Sequence, residues 1–150
     1  MVKNLFESRR FQLVEIKHTG KKRTPSNLFL KGLPSDDGCP GKIVAAESGT
    51  VIFAGNLHNW QRKHYGILAR VRSDEDPCRE IIYYGLGACF VRAGEHVQTG
   101  AAIGHNALRL VGVEVRYNRR RVDALAELGI PATIGKVLSM DKPAMLPTCR

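Results

Sequence analysis

A repeated glycine pattern between residues 91 and 104 constrains the fold of this chain more than any other feature. The sequence reads VRAG at 91–94, VQTG at 97–100 and IG at 103–104. An apolar residue stands three positions before each of the first two glycines, and glycine readily adopts the positive φ that a tight turn requires. The pattern therefore predicts short strands that turn sharply at the glycines and point their valines and isoleucine into a core.

Short apolar stretches with β-branched and aromatic residues continue this strand pattern along the chain. Strands are predicted at 11–17, 42–46, 50–54, 66–72, 80–84 and 111–117, with shorter ones near Phe90, His96 and Ala102. The polar segment SDEDPC at 73–78 predicts that the strands before and after it form a hairpin. One short helix is predicted at 122–128, because Gly129 and Pro131 follow it as a stop signal.

Two segments lack this pattern. Residues 19–26 are basic and rich in turn formers, which predicts a surface loop, and residues 141–150 contain two prolines, which predicts a tail. The whole is predicted to be one all-β domain, a compact β-sandwich of the duplicated hybrid motif type. Residues 1–40 would supply an N-terminal strand and basic loop, residues 41–128 the β core, and residues 129–150 a C-terminal extension.

Charge narrows the classes of partner. The formal net charge of +9 favours loose attraction to nucleic acid, anionic lipid or an acidic protein. The basic residues, however, occur in short scattered groups without the interleaved aromatic residues of single-strand binders. We therefore do not expect a dedicated nucleic-acid binder.

The cysteines and the N-terminus bear on the cellular compartment. Cys39, Cys78, Cys89 and Cys149 show no C-x-x-C spacing and are predicted to be free thiols, with Cys89 inert in an apolar strand. No apolar run reaches the roughly 18 residues that cross a bilayer, and residues 1–10 lack the apolar stretch of a secretory signal. The expectation is cytosolic synthesis without membrane insertion.

Three further segments accompany the glycine pattern in a fixed order. They are GKIVAAESGTVIFAG at 41–55, IYYGLGACFVRAG at 82–94 and VEVRYNRRRVDAL at 113–125. Together they resemble the lysostaphin-type (LytM) zinc metallo-endopeptidases over residues 41–128. The glycine turns alone are similar to those of lipoyl and biotinyl domains and of sugar-phosphotransferase IIA components. Lys142 lies too far downstream of these turns to be the modified lysine of the first two.

The resemblance also implies where a zinc site would lie. The family holds zinc with an early histidine and aspartate and with the first histidine of a His-x-His in the last strand, and a further histidine follows the tyrosine strand. Alignment on Glu114-Val115 places Leu110 and Gly112 at the His-x-His and Gly85 at the further histidine. The early pair would fall within residues 28–37, where no His-x-x-x-Asp occurs.

Zinc hydrolysis needs about three nitrogen or oxygen ligands and an open position for water. The resemblance therefore implies a degenerate member with no catalytic residues, no metal and no cofactor. A site assembled from His58, His64 and His105 is the alternative, whereas His18 and His96 have no ligand-like spacing. The sequence also has neither a G-x-S-x-G nucleophile elbow nor a phosphate-binding glycine loop.

Several functions follow from the resemblance. Lysostaphin-type domains recur at phage tail tips and hubs, so a member without ligands is expected to be a structural component of a virion tail or baseplate, bound to other protein subunits. Ligand-poor members in bacterial envelopes imply a cell-wall binding or hydrolase-regulating module, with peptidoglycan as a second partner. An active endopeptidase with rearranged ligands is the third alternative.

Overall fold

The computed structural model describes residues 2–19, 24–36, 38–56, 67–106 and 110–140, and their fold is all-β with one short helix. The strands are β1 (Arg10–Thr19), β2 (Thr24–Gly32), β3 (Lys42–Val44), β4 (Gly49–Asn56), β5 (Ile67–Ser73), β6 (Arg79–Leu86), β7 (Ala88–Cys89), β8 (His96–Val97), β9 (Ala102–His105), β10 (Val111–Tyr117), β11 (Arg120–Arg121) and β12 (Val137–Ser139). The helix is α1 (Ala124–Leu128).

Two antiparallel sheets contain these strands. Within the described ranges the larger sheet has nine strands in the order β12-β1-β2-β10-β6-β5-β4-β8, with β11 paired to β10. The smaller sheet has the order β3-β9-β7. The predicted all-β sandwich is thus confirmed, and so is the hairpin, since β5 pairs with β6 through Val71 and Ile81.

The glycine pattern forms the turns that its spacing predicts. Gly94 and Gly100 have positive φ angles of 95° and 87°. Val91, Val97 and Ile103 are buried in the main core. Because apolar burial drives the strand ends inward while glycine permits the reversal, this short segment can add two strands to two different sheets.

The helix begins two residues later than predicted and ends at the predicted position. Asp123 caps its N-terminus by accepting hydrogen bonds from the backbone N–H groups of Leu125 and Ala126. Gly129 closes it in the left-handed conformation, with φ of 67°. α1 buries Leu125 and Leu128 against the core, so these caps fix its position on the sheet.

The predicted loop at 19–26 is wrong in part, because β2 begins at Thr24. The first residues of β2 are polar and include a proline, so the sequence pattern does not indicate a strand there. Leu28 and Leu30 of β2 are nevertheless fully buried, and β2 pairs with β1 on one side and β10 on the other.

β12 was also missed, because it is three residues long and only Leu138 in it is buried. The predicted tail at 141–150 lies outside the described residues.

The larger sheet has two chemically different faces. One face covers the main core with residues such as Val113, Tyr83 and Val71. The opposite face carries a separate small cluster of Leu68, Ile82 and Tyr84, with Phe53 packed against it. This second surface is called the outer face below. In the described part of the chain, no helix has the length and apolarity to cross a membrane.

Candidate functional site

The three positions assigned to family ligands lie together at one end of the β6–β10 ladder. Gly112 on β10 is the register partner of Tyr84 on β6 and of Phe29 on β2. A Cβ added to Gly85 would lie 3.2 Å from the carbonyl oxygen of Leu110. Gly85, Leu110 and Gly112 are called the ligand-position patch below.

Two of the three positions in the patch, Gly112 and Gly85, disfavour larger side chains. A Cβ at Gly112 would lie 3.2 Å from both Cε1 of Phe29 and Cβ of Tyr84, so those neighbours would have to give way. Gly85 has a φ of 77°, which side-chain-bearing residues rarely adopt. Neighbouring aromatic groups and backbone conformation therefore both disfavour histidines at these positions.

A buried acid lies two residues beyond Gly112 and on the same outer face, because side chains alternate along a strand. Glu114 is fully buried. The Tyr84 hydroxyl donates a short hydrogen bond to Oε2 of Glu114, and Nε of Arg116 lies 3.2 Å from the same oxygen. Nε of Arg121 contacts Oε1. Tyr84, Glu114, Arg116 and Arg121 are called the acid–arginine cluster.

Burial and the contact with Glu114 keep the Tyr84 hydroxyl of this cluster protonated. Burial raises the pKa of the Tyr84 hydroxyl, and its hydrogen bond to Glu114 raises that pKa further. Tyr84 therefore stays a neutral donor across the physiological range. Two guanidinium groups face one carboxylate, so the cluster carries an excess of positive charge.

The residues of the patch do not fit a zinc ion. Glu114 is the nearby acid, and both its oxygens already contact a tyrosine or an arginine. A divalent cation bound by Glu114 would also face the charges of Arg116 and Arg121, which is unfavourable. No group of three or more His, Cys, Asp or Glu side chains able to hold a metal occurs among the residues that the structure describes.

The alternative histidine site is not assembled by the described residues. His105 lies on β9 in the smaller sheet, where its Nε2 is 3.9 Å from Sγ of Cys39. His58 and His64 lie outside the described residues. His96 pairs with Asp74 at an exposed position, and His18 lies on β1. Zinc binding by this set, and the absence of zinc from the chain, both stay predictions.

Sequence reasoning missed the acid–arginine cluster. The signal was the alternation Gly112, Glu114, Arg116, which places one glycine, one acid and one base on the same face of a strand. The participation of Arg121 depends on a tight turn, because Asn118 and Arg119 have φ angles of 50° and 66° and return β11 alongside β10.

Solved structures of similar shape identify the fold. A chain of the SpoIIQ–SpoIIIAH pore-forming complex superposes with a TM-score of 0.58 at 16% identity, covering 89% of this chain and 100% of that one. The M23 metalloprotease pseudoalterin, from the deep sea, gives 0.55 at 15% identity, over 82% and 75% of the two chains. Lysostaphin of Staphylococcus simulans, an antimicrobial peptidase, gives 0.56 at 15% identity, over 79% and 49%.

The class follows from these superpositions together with the sheet order and the glycine turns. The chain has the lysostaphin-type (LytM, M23) fold, as its sequence resemblance predicted. No protein-family model matches the sequence, and a search of curated proteins gives no match. At this level of identity the likeness establishes the fold, and the chemistry has to be argued from the chain's own residues.

Proposed function

We propose that this chain is a non-catalytic module with the lysostaphin-type fold that acts by binding protein subunits of a larger assembly. The observation that carries the proposal is the ligand-position patch with its neighbouring acid–arginine cluster. Glycines and a leucine occupy the positions of the family's ligands, and the remaining acid is neutralised by two arginines. Such a site lacks the donors that a hydrolytic zinc requires.

The outer face is the proposed binding surface. It combines the aromatic rings of Phe29 and Phe53 with several basic side chains. Nζ of Lys17 lies 5.1 Å from the centroid of the Phe29 ring, and Arg72 is exposed on β5. Aromatic residues and arginine are enriched at protein interfaces, and the net charge of +9 favours an acidic partner.

The assembly that we propose is a phage virion, with this chain in the tail or baseplate. The resemblance supports it, because lysostaphin-type domains recur at tail tips. A neighbouring fold within a pore-forming protein complex supports the broader idea that this architecture serves in assemblies. A cell-wall binding or hydrolase-regulating module is the second candidate, favoured by the neighbouring peptidase folds.

Density-gradient sedimentation of the full chain produced in its natural source tests the proposal. We expect the chain to migrate with a particle at a fixed ratio to the other subunits. A chain that sediments only as a monomer would contradict the proposal that it belongs to a larger assembly. Co-sedimentation with purified peptidoglycan instead would support the cell-wall alternative, and hydrolysis of that peptidoglycan would overturn the non-catalytic assignment.

Matched charge reversals locate the surface. The double variant Lys17→Glu/Arg72→Glu changes two exposed outer-face charges, whereas Arg92→Glu/Lys136→Glu makes the same change in net charge at exposed positions outside the strands. We expect the first variant to leave the particle and the second to remain with it. Equal behaviour of the two variants would show that the outer face is not the interface.

A further inference from the structure

A thiol and an imidazole meet beside the smaller sheet, away from the outer face. Cys39 lies just before β3 and His105 is the last residue of β9, the central strand of that sheet. Sγ of Cys39 is 3.9 Å from Nε2 of His105, and both side chains are half-buried. β9 is paired on both sides, through Lys42 on β3 and Ala88 on β7, so the backbone of His105 is held by both neighbouring strands.

The other described cysteines provide an internal comparison. Cys89 is also half-buried, but its thiol donates to the carbonyl oxygen of Val91 at 3.4 Å. A carbonyl oxygen cannot remove the thiol proton, whereas a neutral imidazole nitrogen can. Cys78 is exposed in the turn between β5 and β6. Cys39 is thus the described cysteine whose sulfur has a proton acceptor in contact.

The charges around Cys39 are compensated. Its backbone N–H donates to Oε1 of Glu7 at 3.0 Å, and Nζ of Lys42 lies 3.2 Å from the other oxygen of that carboxylate. The hydrogen bond from Cys39 is the main cause of a lowered pKa of Glu7, and Lys42 lowers it further, so Glu7 is ionised at neutral pH. Lys42 therefore balances the negative charge of Glu7 beside Cys39.

We propose that the Cys39–His105 pair is a nucleophilic thiol site that is covalently modified by small, soft electrophiles. The thiol proton moves to Nε2 of His105, and an electron pair on Sγ forms a bond to the electrophilic carbon. The leaving group departs with the electron pair of the bond that breaks. Half-burial of Cys39 restricts the site to small reagents. The proposal is independent of the binding function, because its residues belong to the smaller sheet and its flanking loop.

Alkylation of the folded full chain by iodoacetamide, followed at each cysteine by peptide mass spectrometry, tests the proposal. At neutral pH we expect Cys39 to react about tenfold faster than Cys89, because the imidazole of His105 can accept the thiol proton and the carbonyl oxygen beside Cys89 cannot. His105→Gln should reduce the Cys39 rate to about that of Cys89, because the glutamine amide cannot take up the thiol proton. The rates of Cys78 and Cys89 should not change.

Two controls check that the effect on Cys39 alkylation is specific to His105 and that the His105→Gln variant is folded. His96→Gln removes an exposed histidine paired with Asp74 and should leave Cys39 alkylation unchanged. Circular dichroism checks that His105→Gln is folded. Equal rates for Cys39 and Cys89 in the unaltered chain would overturn the proposal without any variant, and so would an unchanged Cys39 rate in folded His105→Gln.

Discussion

Two buried carboxylates in this protein have opposite surroundings. Glu47, 2% exposed, accepts hydrogen bonds from Ser73 at 2.8 Å and Arg79 at 2.6 Å, and that same arginine also lies near Glu75 and Glu127. Glu114, fully buried, is shared by two arginines. At the first site one arginine contacts three acids, one of which, Glu75, also pairs with Lys3, whereas at the second site two arginines contact one acid.

The Glu47 site holds elements of the fold together, whereas the Glu114 site carries excess positive charge at the proposed binding surface. Arg79 joins the β3–β4 connection to the start of β6 and to α1, so its contacts hold separate elements together. Burial lowers the pKa of Arg79, but the carboxylates of Glu47, Glu127 and Asp76 together raise it by more, so the pKa is raised overall and the guanidinium stays charged. The acid–arginine cluster joins neighbouring strands, Tyr84 on β6 with β10 and β11, and has two arginines for one acid at the outer face.

The largest effect is expected for Arg79→Met. The variant leaves Glu47 buried without a counter-charge, which typically costs about 3–5 kcal/mol in the free energy of unfolding. Urea denaturation followed by fluorescence measures it. Arg72→Met, an exposed arginine on the same hairpin, is the control and should change stability little. If Arg79→Met lowered the free energy of unfolding by less than about 1 kcal/mol, as expected for a surface ion pair, Arg79 would not have the structural role that distinguishes its site from the acid–arginine cluster.

The next effect concerns the ligand-position patch. Leu110→His/Gly112→His restores the His-x-His spacing, but the new side chain at 112 meets Phe29 and Tyr84. Overpacking of this kind costs about 1–3 kcal/mol. We expect reduced stability in urea and no zinc uptake in dialysis. A stable variant that binds zinc stoichiometrically would show that the patch still has the geometry of a metal site.

Tyr84→Phe removes the hydroxyl that donates to Glu114. The loss of a hydrogen bond to a buried charge should cost about 1.5–3 kcal/mol at neutral pH. Because the folded pKa of Tyr84 is raised, its contribution is complete below the ordinary tyrosine pKa of about 10 and is lost as pH rises above that value. Stability curves at successive pH values should therefore fall less steeply above pH 10 in the variant. Parallel curves would contradict the assigned role of Tyr84.

The smallest effect is expected for Arg116→Met or Arg121→Met alone. Each variant leaves Glu114 with the other arginine, and both guanidiniums are partly exposed, so a loss below about 1 kcal/mol is expected. The double variant should lose more than the sum of the singles, because Glu114 would then have no cation. Additive losses in a double-mutant cycle would show that the two arginines do not share this acid.

Particular residues show how far the sequence predicts this molecule. The glycine turns at Gly94 and Gly100 and the C-terminal cap of α1 at Gly129 were predictable, because local backbone preference and tertiary structure agree there. β2 was missed because its stability comes from pairing with β1 and β10, which are distant in sequence. The ligand-position patch was inferred from a family resemblance, whereas the neutralisation of Glu114 by Arg121 depends on a hairpin turn that spacing alone does not reveal.

Metal content tests the central claim most directly. The full chain would be purified, loaded with zinc, exchanged into metal-free buffer and measured by elemental mass spectrometry. We expect no stoichiometric zinc, because the positions that the family resemblance assigns to the ligands are Gly85, Leu110 and Gly112, beside an acid already in contact with two arginines. Retention of near-stoichiometric zinc would contradict it, and loss of that zinc in a His58→Gln/His64→Gln variant would assign the metal to the alternative histidine set.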